Sequence, residues 1–152
     1  MSNTTSTKVA AVHDALARAN FEADVAKLSD EAAARVGLKI HARTYPVLDL
    51  TVHHARPLRL RFRCDSWDEL PPAVDLLNAD GTFLAPQHVG DIFHDGPHPS
   101  TGRSFVCMRG TREYHTHSSH LSDRWDNYRG QDGMNIPGIA MQIARGWRRL
   151  AK

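Results

Sequence analysis

An alternation of apolar and polar residues is clearest in residues 45–64, which read YPVLDLTVHHARPLRLRFRC. Apolar side chains recur at alternate positions on both sides of a turn at residues 55–57, and successive side chains of a strand point to opposite faces. The pattern therefore predicts two adjacent antiparallel strands with one face in a core. The other face of the second strand is expected to be exposed and basic, because it carries Arg59, Arg61 and Arg63.

The residues before these strands predict helix. From residue 8 to residue 36, apolar side chains recur at steps of three and four among many alanines, which is the spacing of one helix face. Ser29 can cap a second helix after a break near Leu28, and Gly37 supplies its stop. Residues 1–7 are rich in Ser, Thr and Asn. We expect them to be disordered and residues 8–152 to form a single domain.

The residues after the strands first continue the sheet and then lose periodicity. Pro71 and Pro72 break the chain, residues 73–77 predict a third strand, and the Asn-Ala-Asp-Gly that follows is typical of a turn. Residues 84–133, the irregular segment, show little periodicity apart from an apolar run at residues 104–108 that is compatible with a short buried strand. A connection of this length inside a compact domain is usually functional.

A closing helix completes the fold class. Asn135 precedes Pro137 in an arrangement typical of a helix start, and apolar residues then recur at helical spacing to Leu150. Helix, three-strand meander, irregular segment and helix together predict an α+β domain.

The composition excludes several classes of protein. With 41% hydrophobic and 24% charged residues, the chain is globular in composition, and its net charge of +2 is too small to argue for a nucleic-acid partner. No apolar stretch approaches the roughly 20 residues that span a bilayer, and the amino terminus has no apolar signal core. We therefore expect a cytoplasmic protein with no membrane partner. Two cysteines are too few for a disulfide framework, so we expect reduced thiols.

Histidine is unusually frequent, with ten in the chain. The densest polar cluster contains Cys107, Glu113, His115, His117 and His120. Histidine titrates near neutral pH and is the commonest metal ligand, so this cluster is the candidate site.

The order of these elements and several short motifs resemble the ubiquitin-conjugating enzymes. The motifs, found within residues 8–150, are the paired proline, a His-Pro tripeptide, a cysteine shortly downstream, a tryptophan and the closing helix. They correspond to Pro71-Pro72, His98-Pro99-Ser100, Gly102, Cys107 and Trp125. The chain is most similar to bacterial conjugating-enzyme-like proteins of ubiquitin-related operons that share a Cys-Glu-His-His signature.

The resemblance implies a ubiquitin-conjugating-enzyme-like fold and a thioester transferase. An activating enzyme and a ubiquitin-like modifier protein would be the partners, Cys107 would carry the modifier as a thioester, and no cofactor would be needed. Cys64 lies on the apolar side of a predicted strand, where a free cysteine is usually a small buried hydrophobe. Cys107 is therefore the expected nucleophile.

One position departs from the family pattern. Conjugating enzymes usually have asparagine third in the His-Pro tripeptide, where its amide steadies the loop, whereas this chain has Ser100 with a shorter donor. His98 and Pro99 are expected to fix the turn before the cysteine. Acid/base and electrostatic work would then come from the cluster of Glu113, His115, His117 and His120.

Two other interpretations use the same residues. His115 and His117 would lie on one face of an extended segment, where His120 or Cys107 with Glu113 completes a zinc set for a zinc-binding protein or metal-dependent hydrolase. The second alternative is a noncatalytic interaction module of the same fold.

Overall fold

The computed structural model describes residues 3–86 and 89–152, with side chains from His13 onward. It is a mixed α+β structure, as the sequence predicts. The helices and strands, in chain order, are α1 (Asn3–Val25), α2 (Asp30–Arg35), β1 (Leu38–Thr44), β2 (Val47–Val52), β3 (Leu58–Arg63), β4 (Ala73–Leu77), α3 (Arg112–Thr116) and α4 (Ile136–Leu150). Two single 3₁₀ turns, Ser118–His120 and Trp125–Asn127, follow α3.

The two amino-terminal helices are separated where the sequence predicts a break. Ser29 caps α2 by accepting the Ala32 N–H, and Gly37 follows with a φ of +70°, a conformation that glycine adopts without strain. Helix α1 begins at Asn3, five residues before the helical pattern of the sequence starts, and so includes residues 3–7. A helix adds one hydrogen bond for each further residue, which lets it extend through residues of modest propensity. Residues 1 and 2 lie outside the described residues.

The sheet is an antiparallel meander in the order β1-β2-β3-β4. The three predicted strands are confirmed as β2, β3 and β4. Strand β1 is an additional edge strand that the sequence did not reveal, because a register shift between Ile40 and Ala42 interrupts its alternation.

One face of the sheet is apolar. Leu50, Leu60 and Leu76 lie side by side on β2, β3 and β4, and Leu48, Phe62 and Val74 form the next row. These side chains join α1, α2 and α4 in one buried cluster. The period-two pattern of the sequence thus describes the core face correctly.

The opposite face is not the exposed basic surface expected from the sequence. Asp49, Arg61 and Asp75 lie side by side across the sheet, and both aspartates are buried. Arg59 binds Asp49 through two hydrogen bonds, and Arg63 binds Asp75 in the same way. Two acidic residues on the neighbouring strands therefore neutralise part of the charge of the three arginines, which the alternation within a single strand does not show.

Helix α4 closes the core. Asn135 accepts the Gly138 N–H as its cap, as predicted, and Trp147 is fully buried with its Nε1–H donating to the Arg56 carbonyl. At the amino end of the helix, Ile136 N–H donates to Asp24 on α1. No helix in the described part of the chain is long and apolar enough to cross a membrane.

The irregular segment is largely without regular structure in its described residues, as expected, and its residues 87 and 88 lie outside the described ranges. Its apolar run at residues 104–108 is buried at Phe105 and Val106, but it forms a single bridge to Phe93 and no extended strand. Helix α3 lies within this segment and is docked to the sheet end by its first residue. The Arg112 N–H donates to the Pro72 carbonyl, and its guanidinium to the Pro71 carbonyl.

Candidate active site

Cys107 is held at the edge of the core with its thiol partly exposed. Its N–H donates to the Ile92 carbonyl, beside the Phe93–Val106 bridge. The sulfur lies 3.5 Å from Nε2 of His120. Burial raises the pKa of the Cys107 thiol, so the thiol is protonated at neutral pH and His120 is placed to accept its proton.

His120 lies on the 3₁₀ turn that follows α3, against an aromatic ring. Its imidazole stacks on Tyr114, with ring centroids 4.1 Å apart and planes inclined by only 13°. Backbone hydrogen bonds from His120 to the His117 carbonyl and from Asp123 to the His120 carbonyl fix the turn.

A polar network surrounds Asp123; we call Arg109, Tyr114, Asp123 and Tyr128 the Asp123 network. The carboxylate accepts the hydroxyl of Tyr114 at 2.6 Å, that of Tyr128 at 2.5 Å and Nε–H of Arg109 at 3.0 Å. These donors hold the pKa of Asp123 well below its usual range. Arg109 is two residues after Cys107, in residues 106–110, which we call the cysteine loop. The network therefore joins the cysteine loop to α3 and to the turn that carries His120.

His115 braces the cysteine loop through both ring nitrogens. Nε2 accepts the N–H of Gly110, and Nδ1 therefore carries the proton that it shares with the Asp123 carbonyl at 2.7 Å. Burial lowers the pKa of His115, which favours this neutral form. None of its described contacts involves Cys107.

His117 is placed apart from His115, contrary to the expectation for an extended segment. Helix α3 ends at Thr116, so His117 caps the following turn, accepting the N–H of Ser119 at Nδ1. Its ring stacks on Phe105 and lies 5.8 Å from the His120 ring. Burial, followed by the neighbouring histidines, lowers the pKa of His117.

Glu113 faces the sheet end and is only 5% exposed. Its carboxyl accepts the Val74 N–H at 2.8 Å, and burial, with a smaller contribution from the charge of Asp75, raises its pKa to about 7. Its described contacts are with Val74 and, through its carbonyl, with His98. The structure therefore does not place Glu113 beside the thiol.

The His-Pro tripeptide has the turn-fixing role expected of it. His98 is buried, its Nδ1 accepts the Ser100 N–H, and its Nε2–H donates to the Glu113 carbonyl at 2.8 Å. These two bonds tie the turn to α3. The Ser100 side chain is exposed.

The zinc interpretation finds no ligand set in the described ranges. Within residues 3–86 and 89–152, no group of three or more His, Cys, Asp or Glu residues is arranged to hold a metal ion. Of the other four residues predicted for the site, only His120 has a described side-chain contact with Cys107.

Sequence reasoning missed the residues that organise this pair. Tyr114 lies between Glu113 and His115 in the chain. The one sequence signal for its role is its spacing of six residues from His120. Nothing in the sequence distinguishes Asp123 from other loop aspartates.

No family model matches the chain, and no curated protein matches it.

Proposed function

We propose that this protein is a ubiquitin-conjugating-enzyme-like transferase that carries a ubiquitin-like modifier as a thioester on Cys107. The element order supports the proposal. An amino-terminal helix precedes a four-strand antiparallel meander with the paired proline before its last strand, and the His98-Pro99 turn, Cys107 and the closing helix follow. This is the order that the sequence resemblance implies.

The observation that carries the proposal is the 3.5 Å contact between Cys107 Sγ and His120 Nε2. A thiol beside an imidazole is the arrangement that activates a cysteine nucleophile. Cys64 has no such setting, because it is 1% exposed and burial raises the pKa of its thiol strongly. The chemistry is therefore assigned to Cys107.

Loading begins when the Cys107 sulfur attacks the carbonyl carbon of the modifier's thioester on the activating enzyme. The thiol proton passes to His120 as the new carbon–sulfur bond forms. The bond to the activating enzyme then breaks, and the departing thiolate takes up the proton held by His120, which leaves the imidazole neutral. No oxidant, reductant or cofactor is consumed.

Transfer reverses the role of Cys107. An acceptor amine attacks the thioester carbon, the carbon–nitrogen bond forms, and the bond to sulfur breaks. The amine loses a proton, which His120 accepts and passes to the leaving sulfur. Glu113, His115 and His117 contribute by holding the surrounding loops, since their described contacts are with neighbouring backbone and rings.

The chemical test uses the full chain and a synthetic peptide that ends in a Gly-Gly thioester. Mass spectrometry should find one acyl adduct, reversed by hydroxylamine, on the wild type and on Cys64→Ala but not on Cys107→Ala. An adduct that persists in Cys107→Ala, or that the wild type fails to form, would refute the assignment.

A second test addresses the modifier. Cys107→Ser, expressed in cells that encode the protein, should trap the modifier as an ester that resists thiols, and the wild type should carry it as a thiol-sensitive adduct. Peptide sequencing of the trapped protein identifies it. Absence of any adduct in both forms would contradict the carrier role even if Cys107 accepts the synthetic probe.

A further inference from the structure

We infer that Tyr114, locked by Asp123, is a positioning residue that holds His120 against Cys107. The inference rests on the proposed function, because it assigns a cause to the orientation of the proposed acid/base group. Tyr114 acts through His120, and its described contacts do not reach the thiol.

The stack supplies the first argument. His120 lies on a 3₁₀ turn of three residues, Ser118–His120, whose other side chains are exposed. Such a turn does not by itself select one rotamer of the imidazole. Tyr114 is buried on α3, and its ring lies nearly parallel to the imidazole at 4.1 Å. That platform restricts rotation of His120 and keeps its Nε2 directed at the sulfur.

The anchoring of Tyr114 supplies the second argument. Its backbone N–H is bound by the Thr111 hydroxyl, and its own hydroxyl donates to Asp123 at 2.6 Å. The platform is therefore held at both ends. Asp123 also donates its N–H to the His120 carbonyl and accepts from Arg109. One residue thus fixes the ring, the turn and the cysteine loop together.

The side chains that face His120 come from three directions. Tyr114 covers one ring face from α3, His117 lies 5.8 Å away at the start of the turn, and Asp123 follows the turn with its charge compensated by Arg109. His115, whose ring is T-shaped to that of Tyr114, is neutral by its hydrogen bonds.

Iodoacetamide tests the inference without any modifier. Its carbon forms a bond to the Cys107 sulfur as iodide leaves, and the thiol proton passes to His120 or to buffer. We expect the rate against pH to have two limbs, a shoulder at lower pH from reaction assisted by His120 and a rise at high pH from direct ionisation of the thiol. His120→Ala should remove the shoulder and leave the rise.

Two matched variants separate the ring from the hydroxyl. Tyr114→Leu removes the platform and should lower the shoulder by roughly three- to tenfold while leaving the high-pH limb in place. Tyr114→Phe keeps the ring and should retain most of the shoulder, with Asp123→Asn giving an intermediate loss. Thermal melting of each variant checks that it is folded.

Proton NMR spectroscopy of the wild type tests the stack directly. In a stack at 4.1 Å, the ring current of Tyr114 should shift the carbon-bound protons of His120 upfield, and Tyr114→Phe should preserve this shift. Absence of the shift in the wild type would overturn the inference.

The alkylation results also distinguish the inference from the proposed function. An alkylation shoulder of wild-type height in Tyr114→Leu, or an equal fall of the rate in both pH limbs, would refute positioning by Tyr114. The peptide-thioester adduct on Cys107 would still form in that case. A wild-type profile in His120→Ala would refute the acid/base pair itself. Loss of the peptide adduct with an intact shoulder would refute the carrier function alone.

Discussion

The sheet and the irregular segment are held together by different interactions. On β2 and β3, leucines at alternate positions are fully buried and pair across the strands, as Leu50 and Leu60 do. In the described part of residues 84–133, the chain is fixed both by buried apolar side chains such as Phe105 and by polar side chains that reach backbone or ring partners, above all Asp123. Apolar burial dominates the packing of the first region, and side-chain hydrogen bonds are needed in addition in the second.

This difference explains where a reactive group can be placed. A buried apolar face makes a thiol inert, as at Cys64, because burial penalises the thiolate. The irregular segment leaves Cys107 partly exposed and places the imidazole of His120 beside its thiol. The sheet supplies rigid support, and the segment supplies the Cys107–His120 pair.

The two cysteines should show the largest contrast. In native buffer, iodoacetamide should label Cys107 at least about a thousandfold faster than Cys64, because a buried thiol reacts only after an opening that costs several kcal/mol. Peptide mass spectrometry after timed quenching measures both rates. In denaturant the two should become comparable.

Single-cysteine variants provide the control for this contrast. Cys64→Ala should be labelled once at the wild-type rate, and Cys107→Ala should remain unlabelled under native conditions. Native labelling of Cys64 within tenfold of Cys107 would mean that the core opens far more easily than the packing around it indicates.

A matched pair of leucines tests the two regions by stability. Leu60→Ala in the sheet should lower the free energy of unfolding by about 3–5 kcal/mol, because Leu60 is 0% exposed and its loss leaves a cavity. Leu121→Ala in the irregular segment, where the side chain is 63% exposed, should change it by less than about 0.5 kcal/mol. Urea unfolding measures both. Equal costs would contradict the division between the regions.

The sheet could be predicted from the sequence because most of its strands are determined by local sequence patterns. Alternation identified β2 and β3, proline and glycine marked the turns, and Asn135 marked the start of α4. Strand β1 was missed, since its register shift breaks the alternation on which the prediction depends.

The site could be predicted only in its residue types. Cys107 and the histidines were recognisable as a cluster, but which of them meet depends on α3, whose five residues carry no periodic signal. The separation of Glu113 from the thiol follows from its bond to Val74, a partner 39 residues away. Contacts of this kind are properties of the folded chain.

Glu113 gives a pH-dependent prediction for the junction between the regions. Its pKa is raised to about 7 in the folded protein, so the protonated form is favoured by folding. This contribution to stability is complete below the unfolded pKa, near pH 4.5, and is lost as the pH rises through 7. Relative to Glu113→Gln, the wild type should lose on the order of 2 kcal/mol between pH 5 and pH 8.

The comparison with Glu113→Gln isolates this carboxyl from other titrating groups. The glutamine side chain would keep an oxygen for the Val74 N–H but cannot ionise. The free energy of unfolding of the wild type, measured with urea, should therefore fall relative to that of Glu113→Gln as the pH rises. A difference that stays constant from pH 5 to pH 8 would show that Glu113 ionises in the fold without penalty.

Two helix caps give the smallest effect and the sharpest test of the division. Ser29 caps α2 beside the sheet, and Thr111 caps α3 in the irregular segment, so Ser29→Ala and Thr111→Ala should each cost about 1 kcal/mol. The Thr111 hydroxyl also donates to the Met108 carbonyl at 2.8 Å, with the Val106 carbonyl at 3.2 Å, and these residues flank Cys107. Only Thr111→Ala should therefore speed deuterium exchange at the Cys107 amide, and Thr111→Ser should restore it. The same acceleration in Ser29→Ala would mean that the cysteine loop responds to global stability and not to its own hydrogen bonds.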